Sequence, residues 1–222
     1  MAIFAVDIGG ASTKLGLVKE GRVCARASLE SKSDEGLAAA LPRITHGLRG
    51  LTDDPVTGIG IAFPSLICDK RIVGDVGKFR DAEELDLEAW SREEFHAPLA
   101  LENDARMAAI GEWKYGAARN ALNVVMVTLG TGIGTGVIIG GQVLKGSHGA
   151  AGILGGHMTA QVGGDPCPCG NSGCWETLAS NASLLRSGFP DYAHVFAGRD
   201  PVSKEIKRRS LEVWGALAVS LI

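Results

Sequence analysis

Residues 3–27, IFAVDIGGASTKLGLVKEGRVCARA, form three apolar runs separated by two glycine turns. The first run ends at Asp7-Ile8, the pair Gly9-Gly10 interrupts it, and Glu20-Gly21 makes the second turn. The same pattern returns in residues 124–144, VVMVTLGTGIGTGVIIGGQVL, and an offset of 120 residues superposes three glycines of the two stretches. Chance similarity of two glycine-rich hairpins is one explanation. The domain-sized offset favours the other explanation, a duplicated α/β unit.

Strand and helix patterns alternate between the two copies. Helices are predicted over residues 37–48, 85–95 and 105–115, and strands over residues 57–63 and 99–101. A short helix over residues 175–179 and a final helix from residue 202 follow the second copy. The alternation predicts a mixed α/β sheet covered by helices on both faces. We predict an N-terminal α/β lobe of residues 1–115 and a C-terminal α/β lobe of residues 116–222.

The composition excludes several classes of protein. The 222 residues are 45% apolar and 21% charged, so the chain can bury a core and is not of the disordered class. A net charge of −3 gives no electrostatic footprint for nucleic acid or for an anionic membrane. The longest apolar run, residues 213–222, is too short to span a bilayer, which needs about 20 residues. We therefore expect a cytoplasmic protein with neither a nucleic-acid nor a membrane partner.

Two stretches are candidate phosphate sites, and we call them the first glycine turn (Gly9-Gly10) and the second glycine turn (residues 130–136). At the first, Gly9 and Gly10 let backbone N–H groups approach a phosphate, and the Asp7 carboxylate can hold magnesium through water. At the second, residues 130–136 (GTGIGTG) lack a β-carbon at alternate positions and offer two threonine hydroxyls. This stretch fits neither a Walker loop nor the Gly-x-Gly-x-x-Gly pattern. An ordinary hairpin turn is the alternative at each place, and the matching positions in a repeat favour a bound nucleotide.

Four residues near the second copy have the spacing of a metal site. They are His157, Cys167, Cys169 and Cys174. One imidazole and three thiolates complete a tetrahedral zinc shell without an open position, which is typical of a structural site. His148 and His194 are alternative imidazole ligands, and free cysteines in a loop are the competing explanation.

The triplet Glu102-Asn103-Asp104 follows a short predicted strand and precedes a predicted helix. Asn103 or Asp104 can cap the N-terminus of that helix, which is a purely structural role. Alternatively, Asp104 faces a cleft between the two lobes and acts as a general base.

Four motifs occur in one order along the chain. They are Asp7-Ile8-Gly9-Gly10, Glu102-Asn103-Asp104-Ala105, residues 129–136, and the stretch CPCGNSGCWE at 167–176. Together they resemble the ROK family (repressors, open reading frames and sugar kinases), close to bacterial glucokinases. The resemblance runs from residue 3 to about residue 180. It implies the actin-like ATPase fold of hexokinase type, with two duplicated ribonuclease-H-like lobes and a structural zinc loop.

The resemblance also implies an activity, an ATP-dependent sugar kinase that transfers the γ-phosphate to a hexose hydroxyl, the 6-hydroxyl of glucose or a related hexose. Asp104 corresponds to the base that takes the proton of this hydroxyl. The sugar contacts would be Asn103, Asp104, His157 and Glu176. The ATP and Mg²⁺ contacts would be Asp7, Gly9, Gly10, Ser12, Thr13, Gly130, Thr131 and Gly132. The zinc ligands would be His157, Cys167, Cys169 and Cys174. The family resemblance further implies a homodimer or higher homo-oligomer.

The sequence departs from the family pattern at three places. Leu154 stands where a sugar-binding glutamate is expected, and Ala11 replaces the usual threonine of the first glycine turn, where Ser12 and Thr13 could substitute. Residues 77–81, GKFRD, also differ from the common sugar-loop pattern. Because a site tuned to a hydroxyl discriminates strongly, these changes leave the identity of the sugar open.

Two other functions compete with a kinase. A transcriptional repressor of this family would carry a helix-turn-helix before the first strand, which starts here at residue 3, so we do not expect one. A catalytically impaired ROK-type sugar-binding protein is the alternative that Leu154 and Ala11 favour. The final helix ends at Ile222, where family members continue into elements that close over the adenosine. We therefore expect either a shortened family member or an incomplete chain, with weak nucleotide affinity of this 222-residue form.

Overall fold

The computed structural model describes residues 1–74 and 78–222, so Gly77 of the 77–81 segment lies outside the described residues. The ten strands of the described residues are β1 (Ala2–Ile8), β2 (Ser12–Lys19), β3 (Arg22–Glu30), β4 (Ile59–Phe63), β5 (Ile67–Cys68), β6 (Arg71–Ile72), β7 (Leu99–Asn103), β8 (Val124–Leu129), β9 (Ile133–Ile139) and β10 (Gln142–Val143). The seven α-helices of the same residues are α1 (Leu37–Arg49), α2 (Leu87–Phe95), α3 (Asp104–Tyr115), α4 (Trp175–Ala179), α5 (Asn181–Leu184), α6 (Tyr192–Ala197) and α7 (Pro201–Leu221).

The chain groups into two compact units. Unit 1 contains Met1–Met107 and Gly146–Ala150, and unit 2 contains Ala108–Lys145 and Ala151–Ile222. The predicted lobes divide at residue 115, at the end of α3. The units differ from them in two respects, because the division falls inside α3 and because a five-residue segment of the second half groups with unit 1.

Unit 1 is built on a mixed five-stranded sheet in the order β3-β2-β1-β4-β7. The first three strands are antiparallel neighbours, whereas β4 runs parallel to both β1 and β7. Strand β1 alternates in burial, with Phe4, Val6 and Ile8 in the core, as a strand in a sheet requires. Unit 1 thus has the mixed sheet that the alternation of strands and helices predicts for this half of the chain.

Helix α1 packs its apolar side into the core of unit 1. Its buried residues Leu37, Ala40, Ile44 and Leu48 recur at helical spacing. The Asp81 carboxylate caps its N-terminus from a distant part of the chain, because it accepts hydrogen bonds from the Leu37 and Ala38 N–H groups at 2.6 and 2.8 Å. Asp81, the last residue of the 77–81 segment that differs from the family pattern, therefore has a structural role.

The topology of unit 1 brings three strand ends to one edge of the sheet. Strands β1, β4 and β7 are parallel, and Asp7 pairs with Ala62, which pairs with Glu102. Asp7 thus lies near the carboxyl end of β1, and Asn103 ends β7. Ligands of open α/β sheets bind outside this edge, so the fold gathers the candidate residues of unit 1 where a site is expected.

Unit 2 contains the second hairpin in a three-stranded sheet of order β10-β9-β8. Strand β9 already begins at Ile133, so the turn is Gly130–Gly132 and is shorter than the predicted loop of residues 130–136. Ile8 pairs with Thr13 in the first hairpin, whereas Leu129 pairs with Ile133 in the second. The second turn is therefore one residue shorter, and the offset of 120 holds for β9 but not for β8.

Helices α4 to α7 complete unit 2. The Asp200 carboxylate caps the long helix α7 by accepting a hydrogen bond from the Ser203 N–H at 2.9 Å. Trp214 of α7 lies 4.6 Å from Tyr192 of α6, measured between ring centroids, and its indole N–H donates to the Ala179 carbonyl at 2.9 Å. Among the described residues, no helix combines the length and the apolar character needed to cross a membrane.

Candidate functional site

Asp104 is the first residue of α3 and directly follows β7. Its Oδ1 accepts hydrogen bonds from the Ala105 N–H at 2.8 Å and from the Asn103 side-chain amide at 3.1 Å. The residue remains accessible to solvent at the edge of the sheet. A carboxylate held on one oxygen and open on the other side can accept a proton from a bound ligand.

The surroundings of Asp104 make its carboxylate more basic than usual. Burial by the protein around it raises the pKa of Asp104, and the negative charge of Asp7 raises it further. The hydrogen bonds from the Ala105 N–H and the Asn103 amide act in the opposite direction and only partly offset this rise. A raised pKa closer to neutral improves a carboxylate as a general base, so the electrostatics agree with the role predicted from the sequence.

Asn103 orients Asp104 and caps α3 at the same time. Its Oδ1 accepts from the Arg106 N–H at 3.0 Å, which is an N-cap bond. Its amide donates to Asp104 and, at 3.1 Å, to the Ser65 carbonyl. Both amide hydrogens therefore have partners in the protein, and the predicted sugar contact through Asn103 stays a prediction.

The structure also contains a buried ion pair, between Glu102 of this triplet and Arg106, that the sequence analysis does not predict. Arg106 is fully buried and contacts the Glu102 carboxylate at 2.7 Å, and Glu102 also accepts from the Asn103 N–H at 2.9 Å. The Arg106 guanidinium donates to the Gly149 carbonyl at 2.7 Å as well, which fastens the 146–150 segment to unit 1. The signal that could have revealed this pair is the i,i+4 spacing of opposite charges.

The first glycine turn, residues 9–12, is closed by its own backbone. The Gly9 N–H donates to the Ser12 carbonyl at 3.1 Å, and the exposed Asp7 carboxylate pairs with Lys14 at 3.0 Å. Ser12 is half-buried at this turn. Thr13 is buried, and its hydroxyl lies 2.8 Å from the Ser31 hydroxyl. Of the two hydroxyls predicted to replace the missing threonine, only that of Ser12 has no side-chain partner among the described residues.

The second glycine turn, residues 130–132, is held by elements outside its own hairpin. The Gly130 N–H donates to the Gly132 carbonyl at 3.0 Å, as a tight turn requires. The N–H groups of Asn181 and Ala182 in α5 donate to the carbonyls of Gly130 and Thr131 at 3.0 and 3.1 Å. Glu176 in α4, predicted as a sugar contact, accepts a hydrogen bond from the Ile133 N–H at 2.8 Å.

The four predicted metal ligands of unit 2 lie together. The ligand atoms of His157, Cys167, Cys169 and Cys174 all lie within 4.8 Å of one another. The distance from His157 Nδ1 to Cys167 Sγ is 3.6 Å, and that from Cys169 Sγ to Cys174 Sγ is 3.7 Å. Tetrahedral zinc with Zn–S bonds of about 2.3 Å separates its sulfurs by about 3.7 Å, so the geometry fits. The alternative His194 instead contacts Asp191 at 2.7 Å, and His148 is not part of the cluster.

The three thiols differ in their electrostatic surroundings. Burial raises the pKa of Cys167 to about 12 and also raises the pKa of Cys174, whereas hydrogen bonds from the Asn171 N–H and the neighbouring thiols outweigh burial and lower the pKa of Cys169. A zinc ion would bind all three as thiolates and would therefore release the protons of Cys167 and Cys174. Four protein donors also leave no open coordination position, which fits a structural zinc ion and not a catalytic one.

The fold and the candidate residues define an α/β protein with two glycine turns, a basic carboxylate and a Cys/His cluster with the geometry of a metal site. A sequence model described as the ROK family matches residues 3–195. The chain belongs to the ROK family.

Members of the family with different functions resemble this chain. The xylose repressor of Bacillus subtilis is 40% identical over 164 residues, covering 72% of this chain and 42% of the repressor. A glucokinase of Streptomyces coelicolor is 31% identical over 203 residues, covering 90% of this chain and 62% of the enzyme. A solved structure of a ROK family glucokinase from Streptomyces griseus, in complex with glucose and AMPPNP, superposes with a TM-score of 0.82 at 29% identity and covers 100% of this chain and 79% of that one.

These similarities confirm the family predicted from the motifs and its mixed α/β fold. The chain spans only 42% to 62% of the length of the two curated relatives described above. Because a repressor is among those relatives, the expected absence of a nucleic-acid partner stays a prediction, and so does the oligomeric state.

Proposed function

We propose that this chain acts as an ATP-dependent sugar kinase, with Asp104 as the general base. The observation that carries the proposal is the Asp104 carboxylate, which lies at the carboxyl end of the parallel strands with a raised pKa, and whose Oδ2 has no hydrogen-bond partner among the described residues. The similarity to a glucokinase structure that binds glucose and AMPPNP supports the choice of substrates. The sugar is a hexose in this proposal, with glucose or a related hexose phosphorylated at its 6-hydroxyl.

The proposed reaction is an in-line phosphoryl transfer. Asp104 takes the proton from the sugar hydroxyl as the hydroxyl oxygen forms a bond to the γ-phosphorus, and the bond from this phosphorus to the β–γ bridging oxygen breaks, which releases ADP. A positioned base of this kind contributes about 10²- to 10⁴-fold in rate. Asn103 fixes the Asp104 carboxylate, and the Glu102–Arg106 pair fixes the backbone beneath it.

Unit 1 would also hold phosphate and magnesium. The proposal assigns the phosphate contacts to the N–H groups of Gly9 and Gly10 and to the Ser12 hydroxyl, and it assigns Asp7 to water-mediated contact with Mg²⁺. Magnesium, when bound, supplies charge neutralisation on the phosphates. Thr13 directly follows the turn, and its hydroxyl contacts the Ser31 hydroxyl. It would therefore stabilise the fold beside the turn and would not contact the phosphate.

Unit 2 would supply the second phosphate contact and further sugar contacts. The proposal assigns Gly130, Thr131 and Gly132 to the nucleotide, and His157 and Glu176 to the sugar. Zinc held by His157, Cys167, Cys169 and Cys174 would fix the loop that carries these two side chains.

The test is ADP release by the zinc-loaded chain with ATP, Mg²⁺ and a panel of hexoses, N-acetylhexosamines and xylose. We expect turnover with at least one hexose, and we expect Asp104→Asn to lose at least about 100-fold in kcat while sugar binding survives. Asp53→Asn, an exposed aspartate of the same unit, is the matched control and should keep full activity. Substantial turnover by Asp104→Asn would overturn the role of the base.

A sugar-binding protein without kinase activity is the second candidate. Two observations favour it, namely the similarity to xylose repressors and Leu154, whose apolar side chain is 44% exposed in unit 2. In the same panel, a sugar that raises Tm without any ADP release would select this candidate over the kinase.

A further inference from the structure

The candidate metal ligands of unit 2 lie on two chain segments, which we call arms: the first contains His157 (residues 155–161) and the second contains the three cysteines (residues 167–176). The first arm contacts β9, the strand that follows the second glycine turn. His157 ends a 3-10 turn formed by residues 155–157. Within this turn, Gly156 lies so close to Ile133 that a β-carbon would overlap the Ile133 carbonyl oxygen. The neighbouring Gly155 N–H donates to the Thr135 hydroxyl at 2.9 Å. The first arm therefore packs against the carbonyl of Ile133.

The second arm contacts the other side of the same residue. Cys174 immediately precedes α4, and Glu176 in the first turn of α4 accepts the hydrogen bond from the Ile133 N–H at 2.8 Å. Gly132 leaves room for this carboxylate, because a β-carbon at Gly132 would overlap Glu176 Oε2. The Cys174 arm therefore holds the N–H side of Ile133.

The two arms are joined by hydrogen bonds as well as by the four candidate metal ligands. The Trp175 N–H donates to the Met158 carbonyl at 3.2 Å, and the Ala160 and Gln161 N–H groups donate to the Gly173 carbonyl at 2.7 and 3.1 Å. The Asn171 side-chain amide also donates to the His157 carbonyl at 3.2 Å. Of the four candidate ligands, His157 belongs to the first arm and the three cysteines belong to the second. A cation that binds all four ligands would fix the separation of the arms and with it the backbone of Ile133.

We propose that metal binding by the four ligands and nucleotide binding at the second glycine turn are thermodynamically coupled. Glu176 and Gly156 link the two sites, because both contact the backbone of Ile133. Glu176 is a positioning residue in this role, because it acts through the backbone of Ile133. The inference rests on the proposed function in one respect, which is that the second glycine turn binds the phosphates of a nucleotide.

The coupling has a definite thermodynamic form. If zinc tightens nucleotide binding by a given factor, the nucleotide tightens zinc binding by the same factor. Couplings of this kind are typically 5- to 150-fold, or about 1–3 kcal/mol. This role is separable from the sugar contact proposed for Glu176, because loss of a sugar contact alone would change the affinity for sugar and leave the link between zinc and nucleotide intact.

The experiment measures the Kd of AMPPNP with Mg²⁺, without sugar, for zinc-loaded and chelator-treated protein. We expect zinc removal to weaken AMPPNP binding of the wild type at least about 5-fold. Glu176→Gln keeps an oxygen acceptor for the Ile133 N–H and should retain most of the coupling. Glu176→Ala removes the acceptor and should bind AMPPNP more weakly even with zinc bound, with a smaller additional effect of the chelator. Glu212→Ala, an exposed glutamate of α7 in the same unit, is the matched control.

Hydrogen exchange of the Ile133 amide supplies a readout that needs no nucleotide. We expect faster exchange in zinc-loaded Glu176→Ala than in wild type or Glu176→Gln, and faster exchange in the wild type after zinc removal. An equal AMPPNP Kd with and without zinc, or unchanged Ile133 exchange in Glu176→Ala, would overturn the coupling. Absence of AMPPNP binding in the zinc-loaded wild type would instead contradict the proposed nucleotide site, and Ile133 exchange would still test the contact. The Glu176 variants are compared with zinc bound, so the result holds even if the metal-free protein unfolds.

Discussion

The two glycine turns of this chain share a sequence pattern and differ in what holds them. The first turn is closed by the bond from Gly9 to Ser12 and flanked by the Asp7–Lys14 pair, and the Ser31 N–H just after β3 donates to its Ala11 carbonyl at 3.1 Å. In the second hairpin, the residues at the paired positions of Asp7 and Lys14 are Thr128 and Gly134, which carry no charge. The carboxylate beside the second turn comes from Glu176, which lies 43 residues further along the chain than Ile133.

Two hairpins with the same glycine pattern therefore differ in which residues hold the turn. The first turn depends on local backbone geometry and on its central place in a five-stranded sheet. The second turn belongs to a three-stranded sheet and accepts hydrogen bonds from α5, while Glu176 of α4 accepts the Ile133 N–H beside it. Changes far from the second turn in sequence should therefore affect it, whereas the first turn should respond mainly to changes within residues 7–31.

The largest effect is expected at Gly156. A β-carbon there would overlap the Ile133 carbonyl, and backbone atoms on both sides cannot rotate away. We expect Gly156→Ala to lower the free energy of unfolding by about 3 kcal/mol, at the upper end for overpacking. In the first turn, the nearest atom to a β-carbon at Gly9 is the Ser12 carbonyl oxygen at 3.0 Å, so Gly9→Ala should cost less. Thermal unfolding of the two zinc-loaded variants checks the order, and a larger loss for Gly9→Ala would break the comparison.

An intermediate effect separates the two hydroxyls of the first turn. Thr13→Val keeps the shape of the side chain but leaves the buried Ser31 hydroxyl without its partner, so we expect a loss of about 1–2 kcal/mol in stability. Ser12→Ala at the half-buried neighbouring position should leave stability nearly unchanged and weaken AMPPNP binding. Thermal unfolding and AMPPNP titration of both variants test this division of roles. The opposite pattern, with Thr13 affecting affinity and Ser12 affecting stability, would contradict it.

The sequence locates both hairpins because local signals define them, although the second turn is shorter than predicted. Alternating apolar residues and glycine turns act over a few positions, and α4 (Trp175–Ala179) has its predicted bounds. Ligand spacing also predicts the metal cluster, since His157 and the three cysteines lie close in sequence.

Contacts over long sequence separations escape this kind of prediction. No local pattern shows that Glu176 reaches the Ile133 N–H, or that Arg106 reaches the Gly149 carbonyl. The shorter second turn is missed for a related reason, because the pairing of β8 with β9 depends on hydrogen-bond register and not on glycine spacing alone. The sequence thus identifies most residues of the candidate site and misses the contacts that fix their positions.

The smallest effect concerns the negative charge of Asp7, whose counterpart in the second hairpin is the uncharged Thr128. Asp7 raises the pKa of Asp104, because its negative charge disfavours ionisation of the second carboxyl. Asp7→Asn removes this charge, so the pKa of Asp104 should fall. The carboxyl ¹³C chemical shift of Asp104, followed against pH without ligands, measures the change directly. Thr128→Val in the second hairpin is the matched control and should leave the titration of Asp104 unchanged. If the pKa of Asp104 stays constant or rises in Asp7→Asn, the first hairpin does not tune the base, and the electrostatic distinction between the two turns has no consequence for Asp104.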